Sequence, residues 1–151
     1  FKFAKMGGTI DLTCGESESK FHSVADAVKK AKKEGVPMEK VTMSSDGQGS
    51  WSNYDAEGKL VEIGVSDVDT IYRQIVYMVK EENMDLEELL ALGTKNPAMA
   101  LELYPKKGAV KEESDADILI MNEDLSLDTV IAMGVPMMRD GKILKKGTYE
   151  K

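Results

Sequence analysis

The chain has 151 residues, of which 42% are hydrophobic and 31% charged, the size and balance of one globular unit with material for a core. A formal net charge of -7 excludes a protein that tracks a polyanion, because phosphate binding needs clustered Lys and Arg. A lone cysteine, Cys14, excludes an internal disulfide and a cysteine-based zinc site, and no apolar run approaches the ~20 residues that span a bilayer. Neither nucleic acid nor membrane is therefore expected as a partner, and the cytoplasm is the expected compartment.

Phe1 to Met6, followed by Gly7-Gly8, reads as the last turns of a helix with a glycine stop, an opening expected of a piece of a longer chain. Thr9-Ile10-Asp11-Leu12-Thr13 alternates as a short strand does, and Cys14 to His22 reads as polar loop. Ser23, with Asp26 three positions on, is the expected cap of a helix whose Val24, Ala27, Val28 and Ala31 share a face, and Gly35 with Pro37 ends it. Lys29, Lys30, Lys32 and Lys33 lie on that helix between acidic neighbours and read as a solvated face. Val41-Thr42-Met43 is the next apolar run. Strand, helix and strand of these lengths make a βαβ unit, whose connection demands parallel strands and a sheet covered by helices, the α/β class.

Ser44-Ser45-Asp46-Gly47-Gln48-Gly49-Ser50 is a loop of small residues, and Asp55-Ala56-Glu57-Gly58 is an expected turn. Ser66 and Asp69 are expected to open a longer helix with an apolar stripe of Val68, Ile71, Tyr72, Ile75 and Val79. Asp85 with Glu88 forms a capping box for Leu86 to Leu92, stopped by Gly93, and Asn96-Pro97 starts a short helix through Leu103. From Lys106 the runs 108–110, 118–121, 129–133 and 137–139 read as strands, and Asp140-Gly141 suits a two-residue type I′ hairpin turn. A domain boundary is expected near Pro105, between residues 1–105 and 106–151. The second segment is too short to bury a core alone, so it is expected to complete a β-structure whose other strands lie elsewhere in a parent chain.

Asp46 is the candidate for chemistry, because catalytic side chains of parallel α/β folds project from the C-terminal ends of strands. The glycines at 47 and 49 would let a ligand approach the backbone, with hydroxyls from Ser44, Ser45 and Ser50. Against this, Ser-Asp-Gly is common turn chemistry, with Asp accepting local backbone N–H groups. The two readings stay open on spacing alone. His22, the sole histidine, supplies at most one ligand of the three or four a zinc site requires, and reads as exposed or capping. Cys14 ends the first strand with nothing to depress its pKa and reads as packing. The ten methionines read as core filler, and Asp115-Ala116-Asp117, which lacks the rest of a calcium loop, as a turn.

Gly7 to Thr13, Val41 to Ser50 and Ile63-Gly64-Val65, in this order and spacing, resemble the isoaspartyl (β-aspartyl) dipeptidases of the amidohydrolase superfamily. Asn96-Pro97-Ala98, Lys107 to Val110, Asp115 to Ile120 and Asp140-Gly141-Lys142 resemble the superfamily's common tail, with Glu112-Glu113-Ser114 where a glycine often stands. The resemblance implies the C-terminal part of a (β/α)₈ TIM barrel, followed by the C-terminal strands of a small β-sandwich. It implies two metal ions, usually zinc, held by four histidines, a carboxylated lysine and an aspartate at the end of the last barrel strand. Asp46 matches that aspartate, as metal ligand and as the group that moves the proton of the attacking water. Ser50 matches a serine that holds the substrate's α-carboxylate. The histidines and the lysine are not in this chain, so the remainder of a parent chain is an implied partner, with a small dipeptide as substrate and a homo-oligomer as the family's expected assembly. The chain alone is expected to be inactive. The alternatives are another amidohydrolase, of the dihydropyrimidinase-like or N-acyl amino acid hydrolase kind, and a non-catalytic binding module in which Asp46 only makes a turn.

Overall fold

A computed structural model describes residues 1–147, so the end of the 106–151 segment, Thr148 to Lys151, lies outside the described residues. The chain opens with a single helical turn, α1 (Lys2–Lys5), ended by Gly7 at φ 97. Strand β1 (Ile10–Thr13), helix α2 (Glu18–Lys33) and strand β2 (Val41–Ser44) form the expected βαβ unit, and β1 pairs with β2 in parallel, Asp11 opposite Thr42 and Thr13 opposite Ser44. Gly35, at φ +67, lets the chain leave α2, and a short 3₁₀ turn, Met38–Lys40, leads into β2.

The core lies on one side of this pair. Val24, Ala25, Val28 and Ala31 of α2 pack with Val41 and Met43 of β2, and Ile10 and Leu12 sit partly buried against them. Helix α3 (Thr70–Lys80) adds Ile75 and Met78, and helix α4 (Leu86–Gly93) adds Leu89 and Leu92. Helix α5 (Lys95–Ala100) is held to β2 by Asn96, whose buried side-chain amide donates to the carbonyls of Met38 and Val41, 2.8 Å each. An Asn at this point satisfies two carbonyls that no strand pairs.

Between β2 and α3 stands a feature the sequence reading did not contain, an antiparallel hairpin of β3 (Ser50–Tyr54) and β4 (Leu60–Val65). The turn at Asp55 to Gly58 is the expected one. Its Asp55 carboxylate accepts from the backbone of Glu57 and Lys59, and Gly58 takes φ 80.

After α5 the chain forms an antiparallel sheet of β5 (Ile118–Met121), β6 (Leu127–Ala132), β7 (Val135–Arg139) and β8 (Lys142–Ile143), in that order. Asp140 and Gly141, at φ 51 and 69, make the expected turn with two positive φ angles. Residues 108–110 are not a strand, and the run 129–133 breaks at Met133-Gly134, a second turn with both φ angles positive. The sheet touches the helical part where the Tyr72 hydroxyl donates to the Leu125 carbonyl at 2.8 Å. The described architecture is thus α/β, with one parallel pair covered by helices and two antiparallel sheets.

Two helix starts differ from expectation. Helix α2 begins inside the segment read as polar loop: Ser17, not Ser23, caps it and accepts from the Lys20 backbone at 3.2 Å. Only Glu18, Ser19 and Lys20 are polar in its first turn; Phe21, in line with Val24, Ala25 and Val28, starts the apolar stripe one turn earlier than a Ser23 cap allows, and its ring stacks on Tyr77. Helix α3 begins at Thr70 rather than at Ser66, because Ser66 is spent on the loop beside β2, and Val68 is left exposed.

Candidate functional site

The loop after β2 is built as a closed turn. The Gly49 N–H donates to the Asp46 carbonyl at 2.8 Å, and Asp46 and Gln48 both take left-handed backbone, φ 49 and 66. Asp is among the few side chains that occupy this region readily. The turn is fastened to the junction of β4 and α3: the Gln48 N–H donates to the Ser66 carbonyl, the Ser66 N–H to the Gly49 carbonyl, and the fully buried Thr70 hydroxyl to the Ser45 carbonyl.

Asp46 was open to two readings, a turn former or a group held out for chemistry. The side chain that accepts the local N–H is Ser45, whose hydroxyl oxygen takes the Gly47 N–H at 3.1 Å. The Asp46 carboxylate is exposed and engages no donor among the described residues. It lies over Gly49, where a Cβ would fall 2.5 Å from Asp46 Oδ1 and 2.8 Å from the Asp46 carbonyl oxygen. Glycine is required at 49 by this close approach. Ser50, the other predicted site residue, is the exposed first residue of β3, paired with Val65.

The residues read as bystanders behave as such. His22 sits in α2, where its Nδ1 lies 2.7 Å from the Tyr77 hydroxyl and its ring is 54% exposed. Lys29 and Lys32, from the basic run, are paired with Glu82, just after α3, and Glu88 of α4, so the fold itself offsets part of the run's charge. Asp115 and Asp117 close on Lys107, and Asp117 also accepts the Met133 N–H. Those contacts hold the Asp117 carboxyl below its ordinary value and raise the Lys107 ammonium, a clamp at the foot of the sheet and not a cation site. Cys14 is 3% exposed, and burial first, then the Asp11 carboxylate, pushes its thiol up to about 12. That is the reverse of an activated nucleophile.

A cavity of about 200 Å³ lies between α3, α4, β5 and the turn that follows β5, lined by Ile71, Ile75, Leu90, Leu119 and Leu125 among others, and Asp46 does not line it. Among the described residues no group of three or more His, Cys, Asp or Glu is placed to hold a metal ion. Asp46 offers one oxygen ligand of the several a bound zinc needs.

Residues 2–144 match the model of the Amidohydrolase family, and the chain belongs to that family. Within it, the chain is similar along 99% of its length to the β-aspartyl dipeptidase of Fervidobacterium islandicum AW-1, solved in complex with the dipeptide β-Asp-Leu, with 35% identity and a TM-score of 0.82. A second structure of that enzyme superposes at 0.71. Over 88 residues the chain is 30% identical to the dihydroorotase of Methanosphaera stadtmanae. The N-acetylglucosamine-6-phosphate deacetylase of Pasteurella multocida, at 19% identity and a TM-score of 0.58, shares the fold. The chain spans 38% of the solved dipeptidase and 17% of the dihydroorotase. Among the described residues no helix is long and apolar enough to cross a membrane.

Proposed function

We propose that this chain is the C-terminal portion of a metal-dependent hydrolase of β-aspartyl dipeptides, with Asp46 as its catalytic carboxylate. The observation that carries the reading is the Asp46 side chain: the turn is closed without it, and among the described residues it has no donor, just past the end of a parallel strand. The 35% identity to a protein solved with β-Asp-Leu bound supports the substrate class. Residues 1–105 would complete a (β/α)₈ barrel and residues 106–151 a composite β-sandwich, the remaining strands coming from length that the solved dipeptidase has and this chain does not span.

A pair of divalent ions, zinc in this reading, would supply Lewis acidity and an acidic water at that barrel mouth. The remaining ligands, four histidines and a carboxylated lysine, would come from outside this chain, and Asp46 would hold one ion. Asp46 accepts the proton of the water as its oxygen attacks the amide carbon. It then delivers that proton to the nitrogen as the C–N bond breaks, leaving aspartate and a free amino acid. Ser50 would help to hold the substrate's α-carboxylate with its hydroxyl, beside a cation from elsewhere.

In the complete enzyme Asp46→Asn should lower kcat by about 10²- to 10⁴-fold, the range for removal of a general base, with an unchanged melting temperature. Steady-state hydrolysis of β-Asp-Leu by both proteins checks this, and a variant that keeps most of its turnover would remove Asp46 from the mechanism. The dihydroorotase match favours a second reading, hydrolysis of a cyclic amide. Assaying the same protein on dihydroorotate and dihydrouracil beside β-Asp-Leu separates the two by kcat/KM. The chain alone should turn over neither class, since most of the ligand set is outside it.

A further inference from the structure

The face of the β1–β2 pair that looks away from the helices carries a network that the chemistry proposed for Asp46 does not use. Side chains alternate along a strand, and since Ile10 and Leu12 pack on the core, Asp11 and Thr13 fall on the opposite, exposed face. There the two oxygens of Asp11 are engaged separately: Oδ1 accepts from the Thr42 hydroxyl at 2.8 Å, and Oδ2 from the Ser44 hydroxyl at 2.6 Å. Thr42 is the direct register partner of Asp11, but Ser44 is the partner of Thr13. Asp11 therefore reaches along the face toward the C-terminal end of β2. Hydroxyl-to-carboxylate hydrogen bonds are shorter and stronger than neutral ones, so two of them fix the last turn of the pleat.

We infer that Asp11 is a positioning residue for Asp46, holding the Thr42 and Ser44 hydroxyls so that β2 ends in one orientation and the Asp46 turn leaves it in one direction. The inference rests on the role proposed for Asp46. The rest of β2 is already constrained: Asn96 grips the Val41 carbonyl, Val41 and Met43 are buried, and the Cys14 N–H closes the ladder on the Ser44 carbonyl at 2.8 Å. The return of the loop is fixed by Ser66 and Thr70. The Ser44 side chain is the remaining freedom at the point of departure, and Asp46 follows two residues later. A reacting group displaced by about 1 Å can cost about 100-fold in rate without weakening substrate binding to match.

The test uses the complete, metal-loaded enzyme and the variants Asp11→Ala, Asp11→Asn, Ser44→Ala and the Asp11→Ala/Ser44→Ala double. Asp11→Ala should lower kcat by about 10- to 100-fold with KM within about threefold of the native value. Asp11→Asn, whose amide oxygen still accepts one hydroxyl and whose NH₂ can donate to the other, should recover part of the loss. The double variant should be no slower than the worse single one, because both remove the same contact. Amide hydrogen exchange of Gln48 and Gly49 should accelerate in Asp11→Ala while the amides of α3 keep their protection. Native kcat with native exchange in Asp11→Ala, or independent losses in the double variant, would overturn the inference. If Asp11→Ala does not fold, Asp11→Asn and Ser44→Ala, which keep nearly the same volume, decide it by the same readouts. Should the native enzyme ignore β-aspartyl dipeptides, the substrate reading fails by itself, and the exchange measurement still decides for or against Asp11.

Discussion

Cys14 directly follows β1 and Asp46 stands one residue further beyond the end of the paired β2, and the fold treats them oppositely. The Cys14 backbone is drawn into the ladder and its thiol into the core, while the Asp46 carboxylate is left outside its own turn. The reactive form of cysteine is the thiolate. With the folded thiol pushed up to about 12, Cys14 is protonated at pH 8, and iodoacetamide should label it far more slowly in the native protein than in urea. Rapid native labelling would contradict the burial. The linkage has a definite sign: above the ordinary value of 9.0 the unfolded chain loses this proton and the folded chain keeps it, so stability falls as pH climbs from there toward 12. Strand position made both residues legible in the sequence. The bonds of Asp11 were not legible, because alternation assigns a face to a residue and says nothing of which neighbour it will grip.

At the level of elements, a boundary was readable where one capping side chain stands directly before the apolar stripe, and unreadable where two caps compete or tertiary contacts set the end. Asp85 caps α4 as its spacing to Glu88 predicts, accepting the Glu88 N–H at 2.9 Å, and Leu89 and Leu92 then fall into the core at 1% exposure. Asp85→Ala should therefore lower stability by about 1 kcal/mol, the usual worth of such a cap, read as a shift in the denaturant midpoint at constant slope. No shift would mean that the core contacts of α4 hold the helix without its cap. Ser17 does the same work for α2, but the polar turn that follows it resembles loop, and Ser23 offered a competing cap beside the apolar stripe. The β3–β4 hairpin is hidden in the sequence for another reason. Val61, Ile63 and Val65 of β4 alternate with Glu62 and Gly64, but the partner run Ser50 to Tyr54 carries no matching alternation, and the Trp51 ring lies on Gly64, the one small residue in β4. Met133-Gly134 turns the last sheet with an αL methionine, a residue that no turn preference favours.

For the whole molecule the order of the βαβ unit, the helices and the last sheet was legible, the β3–β4 hairpin apart, and the outer partners of β1 and β2 were not, since such pairing depends on strands far away in sequence. Strands β1 and β2 pair only with each other among the described residues, which leaves an open edge on both. Parallel strands are stable with both faces covered, and here the helices cover one face while Asp11 and Thr13 lie open on the other. The last sheet is no better enclosed: Leu119, Ile120, Met133, Ile143 and Leu144 are each about half exposed or more, and Thr129 is its one residue buried below a tenth among the described residues. Open edges and contiguous apolar surface are templates for association. The isolated chain of 151 residues should accordingly sediment as a concentration-dependent mixture of monomer and larger species, and it should bind less than one zinc per chain at neutral pH. In the complete barrel proposed above, the same residues should sediment as one species and retain metal, because further strands would pair both edges and histidines from outside this chain would complete the ligand set proposed for Asp46. A monodisperse monomer of the short chain, indifferent to concentration, would mean that β1 and β2 need no neighbours, and the barrel proposed around Asp46 would lose its physical ground.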